Sequence, residues 1–196
     1  MINLKTIKET TTAEIIIKNS RFITTLIRIN NEDDVLPIIN RLKKEQPKAT
    51  HYCYAYITEN KKKSSDDKEP SGTAGLPMLN ILEKENLINI LAVTTRYFGG
   101  IKLGAGGLVR AYSKSVKTTL EKAKMVELER GYQISITTSY SNQKELDYLL
   151  KIYPITEKSY QEKITYIINI PKNDLNILSN YQYQIIKELY IEKVHI

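Results

Sequence analysis

Apolar and polar positions repeat with two different periods along this chain, and the change of period marks out its elements. Residues 14–18 and 22–29 are isoleucine-rich runs separated by Asn19-Ser20, a pattern that predicts two strands joined by a turn. Asn30 or Asn31 then precedes three acids and a helical pattern over 33–45. Val35, Ile38, Ile39 and Leu42 share one side, and Pro37 falls early enough to be tolerated. Residues 51–58 alternate, with Tyr52, Tyr54 and Tyr56 on one face and His51, Cys53, Ala55 and Ile57 on the other. A polar loop follows, then a short helix ending near Asn86, a buried-type strand over 88–94, a glycine-rich loop over 99–107 and a helix over 108–124. At 100° per residue that last helix has two faces. Leu108, Tyr112, Val116, Thr119, Leu120 and Ala123 lie together, and Arg110, Lys114, Lys117 and Lys124 lie opposite with Glu121, which is expected to pair with Lys114 or Lys117.

Near residues 126–131 the composition shifts, which predicts a domain of residues 1–130 and a second of residues 131–196. The second reads as strand (132–139), helix with a capping box from Asn142 and Glu145, hairpin (155–160 and 164–170), short helix (173–180) and last strand (184–194). The order β-α-β-β-α-β is the ferredoxin-like motif. The expected fold class is therefore α+β in two domains.

Charge changes the picture by its distribution. The 196 residues have a formal net charge of +7. Residues 1–130 hold 22 Lys/Arg and 15 Asp/Glu, while residues 131–196 hold seven of each, so the whole excess belongs to the first part. Such a surface attracts phosphates or acidic proteins, or is simply a solvated lysine face. The single cysteine, Cys53, excludes an internal disulfide framework. No apolar run approaches the ~20 residues of a membrane helix, and the first residues lack a signal-peptide core, so a cytoplasmic protein is expected, with no membrane partner.

Seven of the eight glycines lie between Gly72 and Gly107. Gly99, Gly100, Gly104, Gly106 and Gly107, set between a strand and a helix, have the layout of a phosphate cradle of free backbone amides. They equally suit tight turns and close packing. The P-loop and dinucleotide spacings are both missing, which excludes NTPase and NAD readings. Ser71, Gly72, Thr73 and Gly75 form a second candidate anion turn, or an N-cap. Asp66, Asp67 and Glu69 could bind Mg²⁺, balance the lysines at 61–63, or fold back onto Arg96 or Lys102. His51 and Cys53 sit side by side on a strand without a second pair, which favours packing over zinc. The tyrosine row is either a base-stacking face or a face covered by a helix. Ser71 lacks an evident base, since the only histidines are His51 and His195. No catalytic residue, metal or cofactor is therefore assigned.

Three stretches carry a resemblance: Ala49–Tyr56, Ser65–Gly75 and above all Thr94–Ser113, which reads TTRYFGGIKLGAGGLVRAYS. They are similar to the IMPACT family, in its bacterial branch. The resemblance implies a first domain like the ribosomal-protein-like domain IV of elongation factor G and a second like its domain V. It implies binding to RNA or the ribosome and modulation of translation. The matching positions are Asp66, Asp67, Glu69, Ser71, Thr73, Arg96, Lys102 and Arg110 with their neighbouring glycines, and glycine is implied where this chain has Lys68. Arg96, Lys102, Arg110, Lys114 and Lys117 are the expected phosphate contacts. The alternatives are a hydrolase using Asp66, Asp67, Glu69 and Ser71, including the peptidase label some relatives carry, or a module for an acidic partner. The sequence leaves the oligomeric state open.

Overall fold

In the computed structural model residues 3–193 are described. Val194, the expected end of the last strand, and His195 lie outside them. Contacts divide the chain into two compact units, Met1–Val126 and Glu127–Ile196.

The first unit opens with a short strand that the alternation does not signal, β1 (Lys5–Ile7), bridged in parallel to Leu87. A hairpin follows, β2 (Thr11–Ile17) and β3 (Ser20–Arg28). Its turn is Lys18-Asn19, one residue earlier than expected, with both residues at positive φ and Ile17 paired to Ser20. A 3-10 turn, Glu32–Asp34, leads into α1 (Val35–Glu45). Asn31 caps that turn, its side chain accepting from the Asp33 amide while Asp34 accepts from the amide of Asn31. Strand β4 (His51–Ile57) pairs with β5 (Lys62–Ser65), then α2 (Gly75–Lys84), β6 (Ile90–Tyr97) and α3 (Ala105–Leu120) complete the unit. β5 lies within the stretch expected to be loop. It is an edge strand, where lysines are tolerated because one side stays in water.

The sheet order is β2-β3-β6-β4-β5, with every recorded pairing antiparallel. β6 is central and buried on both faces, as its near-continuous apolar run requires. Helices α2 and α3 cover one face, where Phe22, Cys53, Met78, Leu82, Tyr112 and Val116 form one core cluster. Helix α1 covers the other, where Val35, Ile39 and Leu42 pack on Tyr56, Leu91 and Val93. The tyrosine row is on this covered side. Tyr56 is buried, Tyr54 packs on the same cluster, and the Tyr52 hydroxyl donates to the Gln46 carbonyl at 2.7 Å. It is not an open stacking surface.

The apolar stripe read for α3 is buried at Leu108, Tyr112, Val116 and Leu120. The helix stops at Leu120, however. The amides of Lys122 and Ala123 turn back to Thr119 and Leu120, so Lys122 and Lys124 lie beyond it.

β7 (Met125–Thr138) starts in the last two residues of the first unit, and the second unit contains the rest of it with α4 (Gln143–Leu149), β8 (Ile155–Tyr160), β9 (Ile164–Pro171), a 3-10 segment Lys172–Leu178 and β10 (Tyr183–Glu192). β7 runs unbroken through Gly131, where the composition changes. The order β10-β7-β9-β8, all antiparallel, is the ferredoxin-like arrangement. Its second helix is 3-10, and Asn142 makes no side-chain cap at α4; a 3-10 turn, Tyr140–Asn142, enters that helix instead. The core joins Ile134, Ile136, Leu146, Leu150, Tyr166 and Ile168. Asp147 anchors the rim, accepting from Lys158 Nζ at 2.7 Å and the Tyr166 hydroxyl at 2.8 Å. The hydrogen bond from Lys158, above all, holds its carboxyl below the usual range.

Candidate functional site

Antiparallel pairing sets His51 opposite Arg96 where β4 and β6 meet, and the loop carrying the three acids lies beside them. Each acid has its own partner. Asp66 accepts from the amides of Gly72, Ala74 and Gly75 at 2.8, 3.0 and 2.8 Å, so this carboxylate caps the start of α2. The amides of Gly72, Ala74 and Gly75 are thereby engaged by the chain itself, and that of Thr73 by the Pro70 carbonyl. Asp67 accepts from the Tyr52 amide at 2.6 Å. Glu69 Oε1 accepts from Arg96 Nη1 at 2.6 Å and from the Tyr112 hydroxyl at 2.8 Å. The fold-back onto Arg96 is therefore made by Glu69. Among the described residues no group of three His, Cys, Asp or Glu side chains is placed to hold a metal ion.

Arg96, expected among the phosphate contacts, is buried; its side chain is 6% exposed and that of Glu69 3%. The guanidinium stacks 5.3 Å from the Phe22 ring centre and 5.6 Å from that of Phe98. Its Nη2 lies 3.5 Å from Ser20 Oγ, and its Nε is buried without an acceptor. His51 Nδ1 is 2.8 Å from the Asp67 carbonyl, and Nε2 is 3.8 Å from Glu69. Cys53 is fully buried and donates to the Asp66 carbonyl. Burial pushes its thiol well above the ordinary value, which removes it as a nucleophile. Burial likewise raises the Tyr112 hydroxyl, so it stays a donor to Glu69. Ser71 is exposed and has no base against it among the described residues.

The glycines fall into two groups. At Gly99 a Cβ would lie 2.1 Å from the Asn19 backbone, and at Gly75 2.7 Å from that of Ser65, so both are there for close packing; Gly107 packs against Leu103. Gly72, Gly100 and Gly104 occupy left-handed turns with open space around them. Gly104, at φ 73°, begins α3 without any side-chain cap. Among the described residues the amides of Ala105, Gly106 and Gly107 meet no acceptor. This is the helix end left open to an anion.

That end borders a cleft of about 390 Å³. Arg96, Lys102, Gly104 and Ala105 line it together with His51 and Glu69. Its apolar wall is Pro70, Phe98, Leu103 and Leu108. Arg110 reaches back over the first turn of α3, its Nη1 standing 3.6 Å from where a Gly106 Cβ would be. Lys102, Arg96 and Arg110 thus surround one helix end, while Lys114 and Lys117 continue outward along the exposed face of α3. Glu121, expected to pair with them, makes no salt bridge among the described residues; it stands at the C-cap, and a lysine N-terminal to its glutamate is the weaker order. Phe98, Pro70 and Leu103 are the site residues that sequence reasoning did not single out. The signal for Phe98 was an aromatic directly before paired glycines.

Comparison with known proteins follows the same boundaries. A family model described as the Impact N-terminal domain matches residues 18–120, which include every residue lining the cleft. The chain is 40% identical over 181 residues to the IMPACT family member YvyE of Bacillus subtilis, covering 90% of this chain and 83% of that protein. It is 41% identical over 111 residues to the IMPACT family member YigZ of Escherichia coli, 54% of each. A crystal structure of a hypothetical protein matches with a TM-score of 0.67 and 29% identity over 94% of this chain and 97% of that one.

Proposed function

The chain belongs to the IMPACT family, and from that premise we propose that it is a cytoplasmic RNA-binding protein that acts on the ribosome and modulates translation. The observation that carries the reading is the outer face of α3. Arg110, Lys114 and Lys117 stand on it one turn apart, exposed, and among the described residues none has an ion-pair partner. The successive cations match the repeated charge of a phosphate backbone, and the open amides of α3 extend the same positive field at one end. No helix among the described residues is long and apolar enough to cross a membrane.

The test is a titration of single-stranded RNA against the full chain at increasing KCl. Affinity falls by about 0.7 log units per log unit of salt for each phosphate neutralised. Lys114→Glu with Lys117→Glu weakens binding and flattens that slope. Binding that is flat in salt, or unchanged in the double variant, overturns the proposal. Capture of a protein that persists after RNA is digested moves the reading to an acidic protein partner.

A further inference from the structure

The cleft at the start of α3 has two chemically different walls, and a basic helix face alone does not call for that. One wall is charged or polar: Lys102, Arg96 and the start of α3 at Gly104 and Ala105, where the Ala105 amide is open. The other is apolar, with Phe98 at its mouth. Phe98 is 47% exposed, and its ring is held on the guanidinium of Arg96, 5.6 Å from its centre. Arg96 borders the cleft too, but Glu69 and Ser20 hold its Nη atoms, and its Nε is sealed from the cleft as it is from solvent. A helix end without a cap, a lysine beside it and a half-exposed ring on one cavity together describe a ligand with an anion at one end and a flat ring at the other.

We propose that this cleft holds a single unpaired nucleotide of RNA, its phosphate on the α3 amides and Lys102 and its base stacked on Phe98. The inference rests on the RNA-binding reading and refines it: the face of α3 grips backbone without regard to sequence, and the cleft requires one base out of its stack. The volume of about 390 Å³ lies in the range of small-ligand sites and is too small for a paired stem. The charge at the phosphate end comes from Lys102, Arg110 and the helix end, because Glu69 already neutralises Arg96. A phosphate is recognised there as at other helix N-termini. Stacking on an exposed aromatic ring accepts any base, so the cleft selects for an unpaired nucleotide and not for a particular letter.

The test uses the full chain and adenosine and uridine 5′-monophosphates as probes, with adenosine, uridine and inorganic phosphate as controls, read by equilibrium dialysis or ligand-observed NMR. Both monophosphates bind more tightly than the nucleosides or phosphate. Ala105→Pro removes one amide from the cradle at the first helical position, where proline is tolerated, and weakens binding about tenfold. Phe98→Ala and Lys102→Ala, both at exposed side chains, each weaken it to a similar extent. Lys114→Glu with Lys117→Glu weakens mononucleotide binding less than Lys102→Ala does, since neither lysine borders the cleft. No monophosphate binding at millimolar concentration, or binding indifferent to Ala105→Pro and Phe98→Ala, overturns the inference. Either result with salt-dependent RNA binding intact removes the cleft alone and leaves the α3 face standing.

Discussion

Replacing Arg96 by methionine tests the buried network on which the cleft is built. The perturbation removes a guanidinium that touches Glu69 at 2.6 Å and leaves the carboxylate with the Tyr112 hydroxyl as its remaining close donor. At an effective dielectric near 20 the direct attraction at that distance is about 6 kcal/mol, offset by desolvation of both ions. Removing one partner of a buried pair costs about 3–5 kcal/mol, because the other charge stays buried. For a chain of this length that is a fall in Tm of roughly 6–20 °C, read by calorimetry of the full chain. Glu69→Gln costs less, about 1.5–3 kcal/mol, since the amide oxygen still accepts from Arg96 and Tyr112. The decisive sample is the double variant Arg96→Met with Glu69→Leu, which removes both charges and is no less stable than Arg96→Met alone. If Arg96→Met and Glu69→Leu, each measured alone, add up to the double within about 0.5 kcal/mol, the pairing is refuted.

Two other outcomes follow from backbone and charge. Asp67 and Lys68 take φ of 39° and 70° in a turn closed by the Glu69 amide on the Asp66 carbonyl, so Lys68→Gly relieves a left-handed lysine and raises stability by about 0.5–1 kcal/mol; an unchanged or lower Tm counts against that turn. Asp147 titrates below its ordinary value of 3.8 in the folded chain, so its contribution is full above that value and is lost as pH falls through the lower, folded one. Asp147→Asn is therefore less stable than the parent near neutrality, and the difference in urea midpoint closes below about pH 4; a gap of constant width down to pH 3 contradicts the assignment.

Local period carried most of the fold. The stripe Leu108, Tyr112, Val116 and Leu120 and the cations opposite it were legible because one helix presents both faces within sixteen residues. The end of that helix was not legible, since Lys122 and Lys124 continue a plausible pattern after the backbone has turned. The hidden part of the site is non-local. A fold-back of the acid loop onto Arg96 or Lys102 was among the alternatives the sequence offered, but which acid and which cation pair across 27 residues, Glu69 with Arg96, was set by the approach of separate elements. Asp66 caps a helix that starts nine residues later, across a loop, where no capping pattern of adjacent positions extends.

That capping also separates two turns that look alike in the sequence. Both α2 and α3 follow glycine-rich loops, and both begin at a residue whose side chain caps nothing, Ala74 or Gly104. At α2 the chain brings its own carboxylate, and three amides close on Asp66. At α3 the nearest buried acid, Glu69, faces Arg96 and Tyr112, so the helix end retains its positive field toward solvent. Gly104, at φ 73°, holds a conformation that strains any capping aspartate or serine, so the chain places no carboxylate of its own at this helix end. The proposed anion binding therefore depends on the backbone of Gly104 as much as on the cations near it: Lys102 and Arg110 add charge to an end left open, whereas the same cations beside α2 would face a carboxylate already in place.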